Sequence, residues 1–303
     1  MKPVGTNCSC DSGPAEDLPS AQAAQSPGLR KRLLPWLLWS QLVPAPLAML
    51  VPEAVAPAGA AVLGFAVARL APPPEQAMGL LGLRRPSAGW LPTTLILLLP
   101  ILTWSRLVAL PLAVAVPVGE AVEPPLGSFL TLVVFAPLFE ELLFRGLLLE
   151  LWRPKGRLVA LCFTSLLFAL GHGLWLLPST LLIGWFLGWL AWEYNSIWPA
   201  FAVHAANNLF STVLGRYLLG SPEGAAFGSL AVATVLFAGL VLSFRARAQL
   251  RSALVAPWHD LPPGTRRRTL ATELGAAVRL WPVAVVVVLC LINMLSGAIA
   301  TRW

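Results

Sequence analysis

Apolar residues in this chain come in long, barely interrupted runs, which match neither the alternation of a half-buried strand nor the one-sided stripe of a soluble helix. The runs cover residues 33–51, 55–71, 90–116, 126–151, 158–176, 177–192, 197–218, 225–244 and 280–300. Most are near 18 residues or longer, enough at roughly 1.5 Å of rise per residue to cross a hydrocarbon layer of roughly 30 Å. The pattern predicts an all-α polytopic membrane protein with eight to nine transmembrane helices around a polar intramembrane cavity. Prolines 35, 44 and 46 in or near the first run predict kinked helices there.

The polar residues between the runs supply the orientation. Arg30-Lys31-Arg32, then Arg84-Arg85, then Arg153, Lys155 and Arg157, then Arg245, Arg247, Arg251 and the Arg266-Arg267-Arg268 triplet all fall on one side when the spans are counted in order. By the positive-inside rule that side is cytoplasmic, and the N-terminus with it. The linker holding Glu120 and Glu123 has no Lys or Arg and suits the outer side. Four parts follow: a disordered cytoplasmic tail over residues 1–32, N-terminal transmembrane helices over 33–118, a helical core over 126–218, and C-terminal transmembrane helices over 225–303 with a basic cytoplasmic loop.

Composition sharpens the class. Hydrophobic residues make up 57% of the 303 and charged ones 12%, which removes soluble readings. The net charge of +7 is carried at the ends of apolar runs, so it reports topology, and no nucleic-acid partner is expected. Cys8 and Cys10 lie in the polar tail and Cys162 and Cys290 in spans, so no disulfide is expected. With no other ligands near them, Cys8 and Cys10 read as part of a solvated tail before they read as a metal site.

Against this apolar background one stretch stands out, Phe139-Glu140-Glu141-Leu142-Leu143-Phe144-Arg145-Gly146. A charge near the centre of a span costs roughly 2.5–3.5 kcal/mol on insertion scales, so an intramembrane acid marks a functional site by default. Residues four apart share a helix face, which predicts a structural Glu141–Arg145 ion pair and leaves Glu140 pointing elsewhere, free to activate water. Two of the three histidines, His172 and His204, fall in predicted spans, each with a companion four residues away: Phe168 with His172, and His204 with Asn208. A single histidine in a span usually serves packing. Two of them with an asparagine, two acids and an arginine on three nearby helices favour a polar site. Counting from the cytoplasmic ends puts His204 at roughly 10 Å depth, the acids at roughly 16 Å and His172 at roughly 21 Å, so one cavity can hold them all.

Glu140-Glu141-x-x-x-Arg145, Phe168-x-x-x-His172 and His204-x-x-x-Asn208, in that order on successive apolar helices, resemble the CPBP family: the type 2 CAAX prenyl proteases, also called Rce1-like or Abi proteins, and their bacterial relatives. The motif-bearing resemblance covers residues 126–218. The Gly82-Leu83-Arg84-Arg85-Pro86 loop is also similar to a segment upstream of the motifs in bacterial members. The resemblance implies an intramembrane endopeptidase in which Glu140 is the general base on a water, His172 positions that water, His204 and Asn208 stabilise the oxyanion, and Glu141 and Arg145 support the site, with Phe168 beside His172. It also implies a multi-pass protein of the bacterial plasma membrane acting on peptide or protein substrates, lipidated ones among them.

The chemistry is consistent with that implication. A carboxylate between donors can serve as a base, and a His and an Asn at i and i+4 offer two donors to one oxygen. No serine or cysteine sits in a comparable cluster, which disfavours a covalent nucleophile. Two glutamates and two histidines also suit zinc. His-Glu-x-x-His is absent, however, and Arg145 beside the acids disfavours a dication, so the expectation is a metal-free mechanism with zinc as the alternative. Two other functions stay open: a non-catalytic scaffold or bacteriocin-immunity-type protein of the same family, and a proton-coupled transporter. Against transport, no inverted repeat is visible. His259 reads as an exposed loop residue, and Gly184 with Gly188 as a small-residue pair that lets helices approach.

Overall fold

A computed structural model describes residues 78–115, 129–172, 176–213 and 222–260, together with the isolated position 272. The tail at 1–32, the expected spans at 33–51, 55–71 and 280–300, the Glu120 and Glu123 linker and the Arg266–Arg268 triplet lie outside the described residues. Those residues form helices and turns with no strand among them.

Among the described residues seven helices follow in order: α1 (Trp90–Ala115), α2 (129–152), α3 (Arg157–Leu170), α4 (Leu177–Glu193), α5 (Trp198–Val213), α6 (Pro222–Arg245) and α7 (Arg247–His259). Among the described residues two stretches are long and apolar enough to cross a membrane, Trp90–Ala109 in α1 and Gly228–Arg245 in α6. α4 packs against α1, α2, α3 and α5, while α6 lies along α1. The outward side of α6, with Leu230, Phe237, Val241 and Phe244 exposed, is apolar where a water-soluble helix would be charged.

Small residues set the closest approach. A Cβ added to Gly184 would meet the Phe168 ring at 3.1 Å and the Ser165 Cα at 3.3 Å, and one added to Gly188 would meet Leu161 at 2.9 Å. α3 and α4 are thus in backbone-level contact across that pair. Residues 81–82, ahead of α1, cross α2 at Gly146, where any Cβ would run into the Leu81 backbone. Gly82 makes that crossing with φ +66°, a region glycine enters without strain.

α2 is not uniform. Thr131–Phe135 and Leu142–Leu148 are wound in wide π turns, flanking the regular α turns of Ala136–Glu141 and followed by those of Leu149–Trp152. Pro137 follows the first wide stretch; it has no N–H to donate and its ring crowds the preceding turn, which a local widening relieves. Glu140 and Glu141 therefore sit between two irregularities of a kind that recurs at functional sites.

Two boundaries differ from the sequence expectation. The fifth run was expected to continue to residue 176, yet α3 stops at Leu170. Gly171 gives little helix propensity, and the imidazole Nδ1 of His172 takes up the Phe168 carbonyl at 2.8 Å, a bond the next helical turn would otherwise make. His172 therefore lies in the turn after α3. The basic stretch after Arg245 was expected to be a loop, but Arg247–His259 is helical. The Trp185 indole N–H donates to the Ala253 carbonyl at 2.8 Å, so this helix is docked on α4, and His259 ends it as an exposed residue.

The polar ends gather at one end of the bundle. Arg84 reaches Glu150 at 3.0 Å and Asn195 at 2.6 Å, and Arg153 grips Glu150 with two bonds at 2.9 and 3.1 Å. Arg157 pairs with Glu193 at 3.3 Å and Asp260 at 2.8 Å.

Candidate active site

α2 presents both acids, but to different surroundings. Glu141 is fully buried and accepts from Arg145 at 2.9 Å, one turn on, as the spacing predicts. The other oxygen-to-nitrogen contact of this carboxylate is with His204 of α5, whose Nδ1 lies 2.7 Å from the same Oε1. Arg145 also donates to the Gly184 carbonyl of α4 at 3.2 Å, which the absence of a side chain at 184 leaves accessible. Its guanidinium carbon sits 4.3 Å from the centre of the Phe168 ring, a cation–π contact whose value rises as water is excluded.

Phe168 is the partition of the site. Within the last turn of α3 it packs against His172 at 4.4 Å and His204 at 5.6 Å between ring centres, with the Phe144 edge at 5.4 Å. Arg145, His172 and His204 are thus oriented by one buried ring.

Glu140 differs from Glu141 in access and partners. A quarter of its side chain (25%) is accessible. Its Oε2 has no hydrogen-bond donor among the described residues. Two imidazole nitrogens face that oxygen, Nε2 of His172 at 3.7 Å and Nε2 of His204 at 3.6 Å. Both distances are too long for a direct hydrogen bond and suit a shared intermediary.

The partners fix the tautomers. The Phe168 carbonyl and the Glu141 carboxylate can only accept, so both histidines carry hydrogen on Nδ1. In their neutral forms each Nε2 then offers a lone pair toward Glu140. Three acceptors thus converge on one point, where a water molecule can donate its two hydrogens to the carboxylate and to one imidazole.

Asn208 is bonded to other partners. Its amide nitrogen donates to the Leu132 carbonyl of α2 at 2.9 Å and its amide oxygen accepts from Asn207 at 3.2 Å, with no hydrogen bond to Glu140 or either histidine. The structure brings Glu140, Glu141, Arg145, Phe168, His172 and His204 together, and leaves Asn208 at the margin.

Two neighbours escaped the sequence reading. Asn207 is buried and accepts from Arg106 of α1 at 3.1 Å; Arg106 also contacts the Ser211 hydroxyl and lies 5.7 Å from the Phe210 ring centre. Arg106 could have been found by the rule that flagged Glu140, since it is a charge within the apolar run 90–116.

Among the described residues no group of three or more His, Cys, Asp or Glu side chains is arranged to hold a metal ion, and Glu141 is already shared between a guanidinium and an imidazole.

With this geometry established, comparison places the segment. Residues 122–210 match the family model for type II CAAX prenyl endopeptidase, Rce1-like. The matched segment spans α2 to α5 apart from the last residues of α5, and so contains every residue of the cluster around Glu140. The family is one of membrane-embedded proteases, in keeping with the two apolar helices flanking the segment. No curated protein and no solved structure matches the chain.

Proposed function

We propose that this chain is a multi-pass intramembrane endopeptidase that hydrolyses a peptide bond with a water activated by Glu140. The observation that carries the reading is the Glu140 Oε2, without a donor and faced by two imidazole Nε2 atoms at 3.6 and 3.7 Å. A water donating to Oε2 and to one Nε2 has its own lone pair free for a substrate carbonyl.

Attack forms the O–C bond and passes the water proton to Glu140; the same carboxyl returns that proton to the amide nitrogen as the C–N bond breaks. His172 holds the water. His204, once Nε2 has taken a proton from solvent and with the Glu141 carboxylate at 2.7 Å behind it, becomes a donor toward the developing oxyanion, with the spare N–H of Asn208 as the second. Glu141 and Arg145 hold His204 in place, and the fully buried pair keeps that counter-charge fixed. The end of the bundle that gathers Arg84, Arg153 and Arg157 faces the cytoplasm, with the site reached from there, and eight to nine spans surround it. The substrate is a peptide or protein segment in or at the bilayer, and lipidated chains are compatible with such a setting.

The test is mass spectrometry of peptides released by the purified protein in detergent, comparing wild type with Glu140→Gln. Products that vanish in the variant support the reading. Unchanged products refute it, and proton flux in liposomes without hydrolysis favours the transporter. The mechanism proposed here is metal-free: turnover persists after metal stripping and strong chelation, and zinc-specific rescue of a lost activity would replace it with a metallopeptidase.

A further inference from the structure

A chain of hydrogen bonds runs from α1 through α5 to α2, and its direction is fixed at both ends. Arg106 can only donate, so the atom of Asn207 that meets it at 3.1 Å is the amide oxygen. The Asn207 amino group therefore points the other way, to the Asn208 oxygen at 3.2 Å. That leaves the Asn208 amino group to meet the Leu132 carbonyl at 2.9 Å, and a carbonyl can only accept. A flip of either amide would set two donors or two acceptors against each other. Asn and Gln amides are otherwise free to present either end, and only such a network decides between them.

We propose that Arg106 is a positioning residue: through Asn207 it locks Asn208 with its amino group, and never its carbonyl, available to the site. The proposal rests on the peptidase reading, in which Asn208 donates to the oxyanion. One of the two Asn208 N–H hydrogens is held by Leu132 and the second is uncommitted, one helical turn from His204. The guanidinium also polarises the chain, since each amide that accepts from a stronger donor becomes a better donor itself. Arg106 donates to Asn207 and to the Ser211 hydroxyl and has no carboxylate partner among the described residues, so its charge is available to set this polarity.

The decisive variant is Asn207→Asp. An aspartate holds Arg106 more tightly, as an ion pair, and sets a carboxylate oxygen against the Asn208 amide oxygen; that repulsion favours a flip that offers the Asn208 carbonyl to the site at the cost of its bond to the Leu132 carbonyl. A packing role predicts that activity follows stability, which the new ion pair raises or leaves unchanged. The relay predicts the opposite: melting temperature kept or raised, KM little changed, and kcat down by about tenfold to a hundredfold, a part of what one oxyanion donor supplies. Arg106→Met lowers kcat in the same range, and Arg106→Lys, which keeps an obligatory donor, restores most of it. Full kcat in folded Asn207→Asp, or Arg106→Lys no better than Arg106→Met, overturns the proposal. Side-chain amide NMR of Asn208 reads its orientation without turnover. If wild type has no peptidase activity, the peptidase reading fails, and an Asn208 amide whose hydrogen-bonding shifts are the same in wild type and Asn207→Asp removes the relay as well.

Discussion

Glu140 and Glu150 stand ten residues apart on one helix and live in opposite circumstances. Glu150 is saturated: Oε1 accepts from Arg84 and Arg153, and Oε2 from Arg153 again. Among the described residues Glu140 has an oxygen with no donor and two imidazoles just out of bonding reach. Both acids are costly to place in an apolar protein, and only one has its cost offset by ion pairing. A fully partnered carboxylate holds helices together, whereas one left short of donors is poised to take a proton. Glu141 falls between them: its pair with Arg145 is structural, while its contact with His204 serves the site.

Exchanging each acid for its amide tests this division most severely. Glu140→Gln should reduce turnover by roughly 10²–10⁴-fold while the melting temperature in detergent stays where it was, because no ion pair is lost. Glu150→Gln should do the reverse, lowering the melting temperature while each folded molecule keeps its activity. If both variants lost activity and stability in parallel, the distinction between the two acids would collapse.

Next in size is the buried pair. Arg145→Ala leaves Glu141 with a charge and only His204 beside it, and removes the cation from the face of Phe168. The expected loss is about 3–5 kcal/mol of stability, seen as poor yield or a large fall in thermal midpoint. A normal midpoint would show that His204 alone can neutralise Glu141.

The parts of this site that sequence could reveal are those written at helical spacing. Glu141 with Arg145 is an i,i+4 relation, and so are Phe168 with His172 and His204 with Asn208; a helix converts each directly into proximity. Contacts between helices follow no such rule. Arg84 with Glu150 and Arg106 with Asn207 are separated by 66 and 101 positions, and nothing local in the chain pairs them. The phase of α5 was equally hidden: Asn207 and Asn208 are adjacent in sequence, and only the packed structure tells which is buried and which is turned to Leu132. The place of His172 was misjudged for a related reason. Its run of apolar residues continues to 176, but the ring takes over the Phe168 carbonyl and α3 ends first. Helical class was legible because burial in lipid permits few alternatives for the backbone.

The glycine crossing offers a smaller effect that probes how the saturated end is assembled. At Gly146 a methyl group would run into the Leu81 backbone, which has no soft torsion to yield with, whereas at Gly188 it would crowd the Leu161 methyl at 2.9 Å, the end of a side chain, and touch the Thr164 hydroxyl at 3.9 Å. Gly146→Ala should therefore cost about 1–3 kcal/mol and displace residues 81–84 from α2, and Gly188→Ala should cost less. Equal midpoints for the two variants would mean that residues 81–82 are not packed there as tightly as the backbone distances require.

The mildest change returns to the partnered acid. Arg84→Gln removes one of the guanidinium bonds to Glu150, but Arg153 keeps both of its own, at 2.9 and 3.1 Å, and is stacked 4.4 Å from the Trp192 ring centre. Glu150 thus retains its counter-charge, and the loss should be about 1–2 kcal/mol, far below that of Arg145→Ala, where the fully buried acid loses its only arginine. Because Arg84 reaches Asn195 as well as Glu150, the variant also loosens the turn between α4 and α5, the helix that carries His204. If that turn merely anchors the bundle, kcat should be unchanged at temperatures below the new midpoint. A fall in kcat with the midpoint intact would mean that the orientation of His204 is set from the far end of α5, and the two acids on α2 would no longer be independent.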